Sequence, residues 1–207
     1  MKNILFLFSI LLLSCGTKPS DQVLVSNYGY TQGTTYSIRY MSTDAVDCQS
    51  DIDSVLNAVD LSMSTYIPES LISKINRNES NKIDSLFFRV ITEALLIAKE
   101  TQGAFDPTLA PIVNYWGFGF EEIQNIDESI LAELMQSVGY TKLSFNDSTI
   151  FKTNTNTQID FNAIAQGFTV DLVGEHLQKL GITNYMIEIG GELKCSGFNA
   201  DGDLWRI

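Results

Sequence analysis

Two different periodicities of apolar residues in one chain constrain its fold more than any other feature of the sequence. Between residues 34 and 40, Tyr36, Ile38 and Tyr40 alternate with polar residues, which is typical of a strand with one buried face. Between residues 85 and 103, apolar residues recur every three or four positions, which is typical of an amphipathic helix. A chain of 207 residues that carries both patterns predicts one α+β domain, with mixed sheets and packed helices.

The same two patterns, with turn residues between them, predict the order of the elements. Asp84 is a candidate N-cap and Gly103 a candidate C-terminal glycine for the helix between them. Residues 103–120, rich in Gly, Pro and aromatic residues, are expected to form a long irregular stretch. A compact domain usually keeps such a stretch for a binding site. Helices are predicted over 47–63, 70–76, 85–103, 127–138 and 163–180, and strands over 23–30, 34–40, 142–145, 149–152, 157–160, 185–189, 192–196 and 204–207.

Charge and histidine content exclude several classes of function. The formal net charge is −12, which argues against a nucleic-acid partner because affinity for the phosphate backbone comes from clustered basic residues. His176 is the only histidine, so Cys2His2 and three-histidine metal sites are excluded. Acid chemistry in this chain must therefore depend on carboxylates.

The N-terminus has the pattern of a bacterial lipoprotein signal. Lys2 precedes an apolar run from Ile4 to Leu13, which is about 15 Å long as a helix and therefore too short to span a ~30 Å hydrocarbon core. Ser14 and Cys15 resemble a lipobox, so we expect residues 1–14 to be removed and Cys15 to carry a diacylglyceryl thioether and palmitate. Residues 15–22 would then be a tether and residues 23–207 the folded domain. The alternative is a plain secretory signal, with Cys15 later in a disulfide.

Two segments carry polar residues where a ligand can approach the backbone. In residues 103–108, Asp106 precedes Pro107, and the carboxylate either caps the amides of a turn or accepts hydrogen bonds from a heterocycle or sugar. The nearby aromatic residues Phe105, Tyr115, Trp116 and Phe118 are either ring-binding surfaces or ordinary core. In residues 160–167, a strand is expected to pass into a helix, whose N-terminus suits a pyrophosphate; Asp160 or Asn162 is otherwise a simple N-cap.

Glycine-containing turns complete the candidate motifs. Residues 189–192, with Gly190 and Gly191, are either a tight hairpin turn or a close approach of backbone to ligand. Gly167 is expected to let another backbone pack closely. Residues 117–119 lack the third glycine of the dinucleotide fingerprint and no Walker loop is present, so the familiar nucleotide folds are not indicated.

Taken in order, five segments resemble the ApbE family of FAD:protein FMN transferases, formerly described as thiamine biosynthesis lipoproteins. The resemblance covers residues 30–207 and implies an α+β flavin transferase domain of the T-fold type. The segments that carry it are Gln32-Gly33-Thr34-Thr35-Tyr36; Met63-Ser64-Thr65-Tyr66 through Ser73-Lys74-Ile75-Asn76; Gly103-Ala104-Phe105-Asp106-Pro107-Thr108 with Trp116-Gly117-Phe118-Gly119; Asp160-Phe161-Asn162-Ala163-Ile164-Ala165-Gln166-Gly167; and Ile189-Gly190-Gly191-Glu192.

The resemblance also implies an activity, a location and partners. Such enzymes bind FAD with Mg²⁺, break the pyrophosphate, and attach FMN through a phosphoester to a threonine or serine of a target protein, releasing AMP. Their targets include flavin-carrying subunits of membrane electron-transfer complexes. Members are commonly lipid-anchored on the periplasmic side of the bacterial inner membrane, as Cys15 suggests here.

Family motif positions imply a set of contacts for the flavin nucleotide. Tyr66 is the candidate stacking ring, and Gln32 stands where many relatives have methionine. Ala163 matches a position whose backbone carbonyl ligates magnesium, a hard ion that takes oxygen donors. The implied FAD contacts are Gln32, Tyr66, Ala104, Phe105, Asp106, Asp160 and Gln166.

The sequence leaves part of the implied site unassigned. The family's other magnesium ligands, an Asp and a Thr, and a His-containing motif have no match in residues 1–207, and neither Asp171 nor His176 fits them. Residues 204–207 end the chain within a predicted strand, so we expect the domain to be incomplete and this 207-residue chain alone to be inactive or poorly folded. Pairing of Cys48 with Cys195 is left open.

Other functions are compatible with the same residues. FAD pyrophosphatase activity would use the same site and differ only in releasing FMN to water. A lipid-anchored protein that binds flavin without chemistry is favoured if the missing metal ligands are truly absent. In a surface lipoprotein without a small ligand, the aromatic residues at 115–120 would be a partner-binding patch.

Overall fold

A computed structural model describes residues 22–118 and 127–207, which form helices and antiparallel strands. The α+β prediction is confirmed. The helices are α1 (Gln49–Met63), α2 (Leu71–Asn76), α3 (Ser85–Glu100), α4 (Ala110–Tyr115), α5 (Glu128–Met135) and α6 (Asn162–Lys179). The strands are β1 (Val23–Thr31), β2 (Thr34–Ser42), β3 (Leu143–Phe145), β4 (Ile150–Lys152), β5 (Tyr185–Ile189) and β6 (Glu192–Ser196).

The larger sheet is antiparallel, with the strand order β1-β2-β5-β6. Alternation in β2 buries Tyr36, Ile38 and Tyr40 on one face, where Ile38 lies opposite Ile187 of β5. Since successive strand residues point to opposite faces, this register places the apolar residues of β2 and β5 together. The resulting face packs against α1 and α6 and forms one hydrophobic core.

A second hydrophobic core lies among the helices. Phe87, Val90, Ile91 and Ala94 of α3 pack against α2, the β3–β4 hairpin and Phe161 at the start of α6. The rings of Phe87 and Phe161 meet edge to face, with centroids 5.0 Å apart. Both α1 and α6 contribute to both cores, so these two helices lie where the two cores meet.

Capping at the ends of α3 agrees with the sequence prediction. The Asp84 carboxylate accepts a hydrogen bond from the Phe87 amide at 2.7 Å, which satisfies one of the free amides of the first turn. At the other end, the Gly103 amide donates to the Ala98 carbonyl at 2.8 Å.

Three local predictions are wrong. Residues 157–160 form no strand, because their backbone groups bond to individual residues and not to a neighbouring strand. The Ile159 backbone pairs with the Asn76 side chain, and the Asp160 amide donates to the Pro107 carbonyl. Residues 204–207 contribute only one isolated bridge, between Leu204 and Phe198. The stretch predicted to be irregular contains α4, whose first turn accommodates Pro111 because amides there lack helical partners.

Predictions for the N-terminal address, residues 1–14 and Cys15, lie outside the described residues. No helix within residues 22–118 and 127–207 is long and apolar enough to cross a membrane. Cys48 is buried and Cys195 is exposed, and both are free thiols, so the open question of their pairing is answered negatively.

Candidate functional site

Five segments that lie far apart in the sequence meet around the first half of α6. Asn76, at the end of α2, exchanges two hydrogen bonds with Ile159: its Nδ2 donates to the Ile159 carbonyl at 2.8 Å and its Oδ1 accepts from the Ile159 amide at 2.7 Å. The next residue, Asp160, donates its amide to the Pro107 carbonyl at 2.8 Å. These bonds fix the segments around residues 76 and 107 to the entrance of α6.

The β1–β2 turn reaches α6 through Gln32. Gln32 has a positive φ of 50°, an uncommon conformation for a residue with a side chain. Its Nε2 donates to the Thr169 hydroxyl at 2.7 Å, and that hydroxyl donates to the Ala165 carbonyl at 2.7 Å. The turn is thereby tied to the second turn of α6.

The β5–β6 turn packs against the same region. Gly190 has a φ of +60°, and a Cβ placed there would lie 2.8 Å from Thr34 Cγ2 and 2.9 Å from Gln166 Nε2. Glycine at this position therefore lets the turn approach both β2 and α6. A Cβ on Gly167, by contrast, would make only an ordinary contact of 3.7 Å with Glu192, so close backbone packing does not require glycine there.

Asp160 lies at the entrance of α6 and reinforces it. Its carboxylate accepts from the Asn162 amide at 2.6 Å and from Asn162 Nδ2 at 3.2 Å, although Phe161 rather than Asp160 is the N-cap residue. Burial raises the pKa of Asp160, and the hydrogen bond from the Asn162 amide opposes that shift. The free amides of an 18-residue helix begin here, which is a favourable place for an anionic group.

A cavity of about 250 Å³ opens between the end of α1 and the beginning of α6. Val59 and Met63 form an apolar wall, and Tyr66, whose side chain is exposed, stands at its edge. An apolar wall with a few convergent polar groups is the usual composition of a ligand site. The lining residues are Gln32, Val59, Asp60, Met63, Ser64, Tyr66, Asn162, Ala165 and Gln166.

A second cavity, of about 190 Å³, is lined by neighbours of the same residues. Thr65 lies between Ser64 and Tyr66 of the first cavity, and Asp160 lies two residues before Asn162. The 64–66 loop and the entrance of α6 therefore contribute to both cavities. Two cavities that share these segments suit a ligand long enough to reach both.

A family model for the ApbE family matches residues 32–207. The chain belongs to the ApbE family. Relatives named FAD:protein FMN transferase include one from Vibrio cholerae, 38% identical over 100% of this chain and 64% of its own length. Another, from Haemophilus influenzae, is 36% identical over 94% of this chain and 61% of its own length. The solved structure of the flavin transferase ApbE from Vibrio cholerae superposes with a TM-score of 0.83 at 36% identity, covering 90% of this chain and 63% of that protein. The chain thus spans less than two thirds of the length of these relatives.

Of the eight residues implied by the ApbE resemblance, three line the first cavity, two lie at the start of α6 and three lie elsewhere. Gln32, Tyr66 and Gln166 line the first cavity. Asp160 lines the second, and Ala163 is the second residue of α6. Ala104, Phe105 and Asp106 line neither cavity; Phe105 packs against the helical core.

Asp106 is occupied by a turn in this ApbE-family chain. One carboxylate oxygen accepts from the Thr108 amide at 2.9 Å and from the Thr108 hydroxyl at 2.6 Å, while the other accepts from the Tyr140 amide at 2.8 Å. Of the other aromatic candidates, Tyr115 accepts a hydrogen bond from the Asp127 amide, whereas Trp116 and Phe118 are exposed. Gly119 lies outside the described residues.

The described residues offer few oxygen donors for a metal ion. Within residues 22–118 and 127–207, no group of three or more His, Cys, Asp and Glu side chains could hold one. Asp171 is paired with Lys194 at 2.7 Å and His176 with Asp51 at 3.4 Å. Mg²⁺ commonly keeps several waters and binds one or two protein oxygens together with substrate phosphates. Ala163 lies in the first turn of α6, and no cluster of three His, Cys, Asp or Glu side chains among the described residues would hold a cation there without the substrate.

Sequence reasoning missed two contributors to the site, Asp60 and Thr169. Thr169 holds Gln32, and a threonine inside a helix carries no signal of such a partner. Asp60 lies three residues before Met63, so the helical spacing places the two side chains on the same face of α1. That spacing was available from the sequence alone.

Proposed function

We propose that the chain forms part of a FAD:protein FMN transferase. The observation that carries the proposal is the convergence of five separate segments on the first half of α6, beside a cavity lined by Gln32, Tyr66 and Gln166. The names of the ApbE-family relatives, FAD:protein FMN transferase, supply the activity. The reaction breaks the pyrophosphate of FAD, joins FMN to a threonine or serine hydroxyl of the acceptor, and releases AMP.

The residues of the chain bind and orient the nucleotide. The free amides at the start of α6 stabilise the pyrophosphate, Tyr66 stacks on a ring in the first cavity, and Asn76 holds the 159–160 segment in place. The Ala163 carbonyl would hold a Mg²⁺ ion together with phosphate oxygens of the substrate, and such an ion would supply positive charge that offsets the charge developing on those oxygens. For a chain with a net charge of −12, such a cation also reduces repulsion of the anionic substrate.

We further propose a location and an acceptor class. Lipid on Cys15 would anchor the protein to the periplasmic side of the bacterial inner membrane, with residues 15–22 as the tether. There it would meet its acceptor, a membrane electron-transfer subunit with an exposed threonine or serine. Metabolic labelling with a radioactive fatty acid tests the anchor: Cys15→Ala is expected to lose both the label and the membrane association.

A flavin-binding protein without chemistry is the second candidate. FAD pyrophosphatase activity is the alternative reaction of the same site.

One assay separates these functions. The protein, as the 207-residue chain and as any longer product of its gene, is incubated with FAD, Mg²⁺ and a threonine-bearing acceptor domain. AMP together with flavin fluorescence on denatured acceptor is the expected result. AMP with free FMN identifies a pyrophosphatase, and FAD binding without either product identifies a binding protein. Turnover by the 207-residue chain would contradict the expectation that this chain alone is inactive.

A further inference from the structure

The last turns of α1 place a carboxylate in the wall of the first cavity. Val59 and Met63 line the cavity one helical turn apart and are almost fully buried. Asp60 lies three residues before Met63 and four before Ser64, which also lines the cavity, so these side chains share one face of the helix. Asp60 itself is only partly buried.

The carboxylate of Asp60 makes no hydrogen bond or ion pair with any residue in 22–118 or 127–207. Asp53, within α1, and Asp84, the N-cap of α3, each accept a hydrogen bond from a side chain. Burial also raises the pKa of Asp60. An acceptor in a partly desolvated wall without a donor is unfavourable until a ligand supplies one.

The same cavity contains a second acceptor without a partner. Gln32 Oε1 is buried and accepts no hydrogen bond from the described residues, while its Nε2 is engaged by Thr169. The unpartnered carboxylate of Asp60 in the cavity wall predicts a ligand that donates a hydrogen bond. The cavity, at about 250 Å³, is smaller than the range of roughly 300 to 1,000 Å³ for whole drug-sized ligands, so it suits one ring system of a dinucleotide.

We propose that Asp60 is a further binding residue, which accepts a hydrogen bond from an N–H group on the ring that enters this cavity. The inference rests on the proposed binding of FAD. Both rings of FAD offer such a donor: the isoalloxazine has a ring N–H between two carbonyls, and adenine has an exocyclic amino group. The shared chemistry is a planar heterocycle with an N–H at its edge, stacked beside Tyr66.

The test is a set of binding titrations on the full chain, carried out in EDTA so that a metal-mediated effect is removed. The variants are Asp60→Leu, which removes the acceptor, and Asp60→Asn, which keeps the shape and one carbonyl. Asp51→Leu is the control, because it removes a carboxylate from the same helix at a residue that pairs with His176 outside the cavity. FAD, FMN and AMP are titrated separately.

Asp60→Leu is expected to weaken FAD binding about tenfold or more, since a hydrogen bond to a charged group is lost. Asp60→Asn is expected to weaken it less, and Asp51→Leu to leave it within about twofold. The loss should also appear with one fragment: FMN identifies the isoalloxazine as the ring that Asp60 contacts, and AMP identifies adenine.

FAD affinity equal to that of the unsubstituted protein in both Asp60 variants, or a loss carried by neither fragment, would overturn the inference while leaving the proposed function intact. Failure of the unsubstituted chain to bind FAD both in EDTA and with excess Mg²⁺ would overturn both. If Asp60→Leu does not fold, as judged by circular dichroism, the near-isosteric Asp60→Asn decides.

Discussion

The turn at residues 103–108 and the cavity at the end of α1 use carboxylates in opposite ways. Asp106 accepts three hydrogen bonds from Thr108 and Tyr140, so its oxygens are occupied by the protein itself. Asp60 accepts none from the described residues. A carboxylate with protein donors contributes to the stability of the fold, whereas one without them is available to a ligand at some cost to the free protein.

The largest effect is expected at Asp106. Asp106→Ala removes the acceptor of two backbone amides and a hydroxyl, and Thr108 is fully buried, so the free energy of unfolding should fall by about 3 kcal/mol. Urea unfolding measures this loss. The control Asp106→Asn keeps one carbonyl acceptor and should lose about half as much. Unchanged stability with strongly weakened FAD binding would show instead that Asp106 acts mainly as the ligand contact that the family resemblance implies.

A smaller loss is expected at Asn76, which joins α2 to the entrance of α6. Asn76→Ala breaks both hydrogen bonds with Ile159 and should lower the free energy of unfolding by about 2 kcal/mol. Because Asp160 follows Ile159, FAD affinity should fall as well. Asn76→Asp keeps the acceptor for the Ile159 amide but loses the donor, so an intermediate loss in urea unfolding is expected. Equal losses in the two variants would contradict the reciprocal pairing.

Regular helices and strands differ from irregular segments in how far the sequence could predict them. Apolar periodicity predicted α1, α3 and α6 and the pairing partners β1 and β2 closely, because one buried face leaves a regular pattern. The extended segment 157–160 was predicted as a strand because its composition fits one. Its partners, Asn76 and Pro107, are at least 50 residues away in sequence, and no local pattern reveals them.

Site residues show the same division. The motifs predicted Tyr66 and Gln166 as site residues, and in the structure both line the first cavity. Asp106 lies in an Asp-Pro turn for which the sequence left two interpretations open. One of the hydrogen bonds that occupy its oxygens comes from the Tyr140 amide, which lies 34 residues away in the sequence.

The two glycines of the β5–β6 turn provide a matched comparison of close packing. Both have positive φ, so alanine costs each about 1 kcal/mol of stability. At Gly190 the added Cβ would also press on Thr34 and Gln166, whereas at Gly191 nothing lies within 4 Å. Gly190→Ala should therefore lose about 1 kcal/mol more than Gly191→Ala in thermal unfolding, and it alone should weaken FAD binding by displacing Gln166. Identical behaviour of the two variants would show that Gly190 serves only the turn.

The smallest change in the free energy of unfolding is expected for Asp60→Asn. It is a gain in stability, whereas Asp106→Ala gives a loss. Burial raises the folded-state pKa of Asp60, so its ionised form opposes folding as the pH rises from about 3.8 through that raised pKa, while below 3.8 the residue is protonated in both states. Asp60→Asn should therefore stabilise the free protein by roughly 0.5 kcal/mol at pH 7 and by nothing near pH 3. Urea unfolding at both pH values measures the difference. Stabilisation at pH 7 together with weakened FAD binding would identify Asp60 as a residue kept for the ligand, because an undiscovered protein partner for this carboxylate would make Asn destabilising instead.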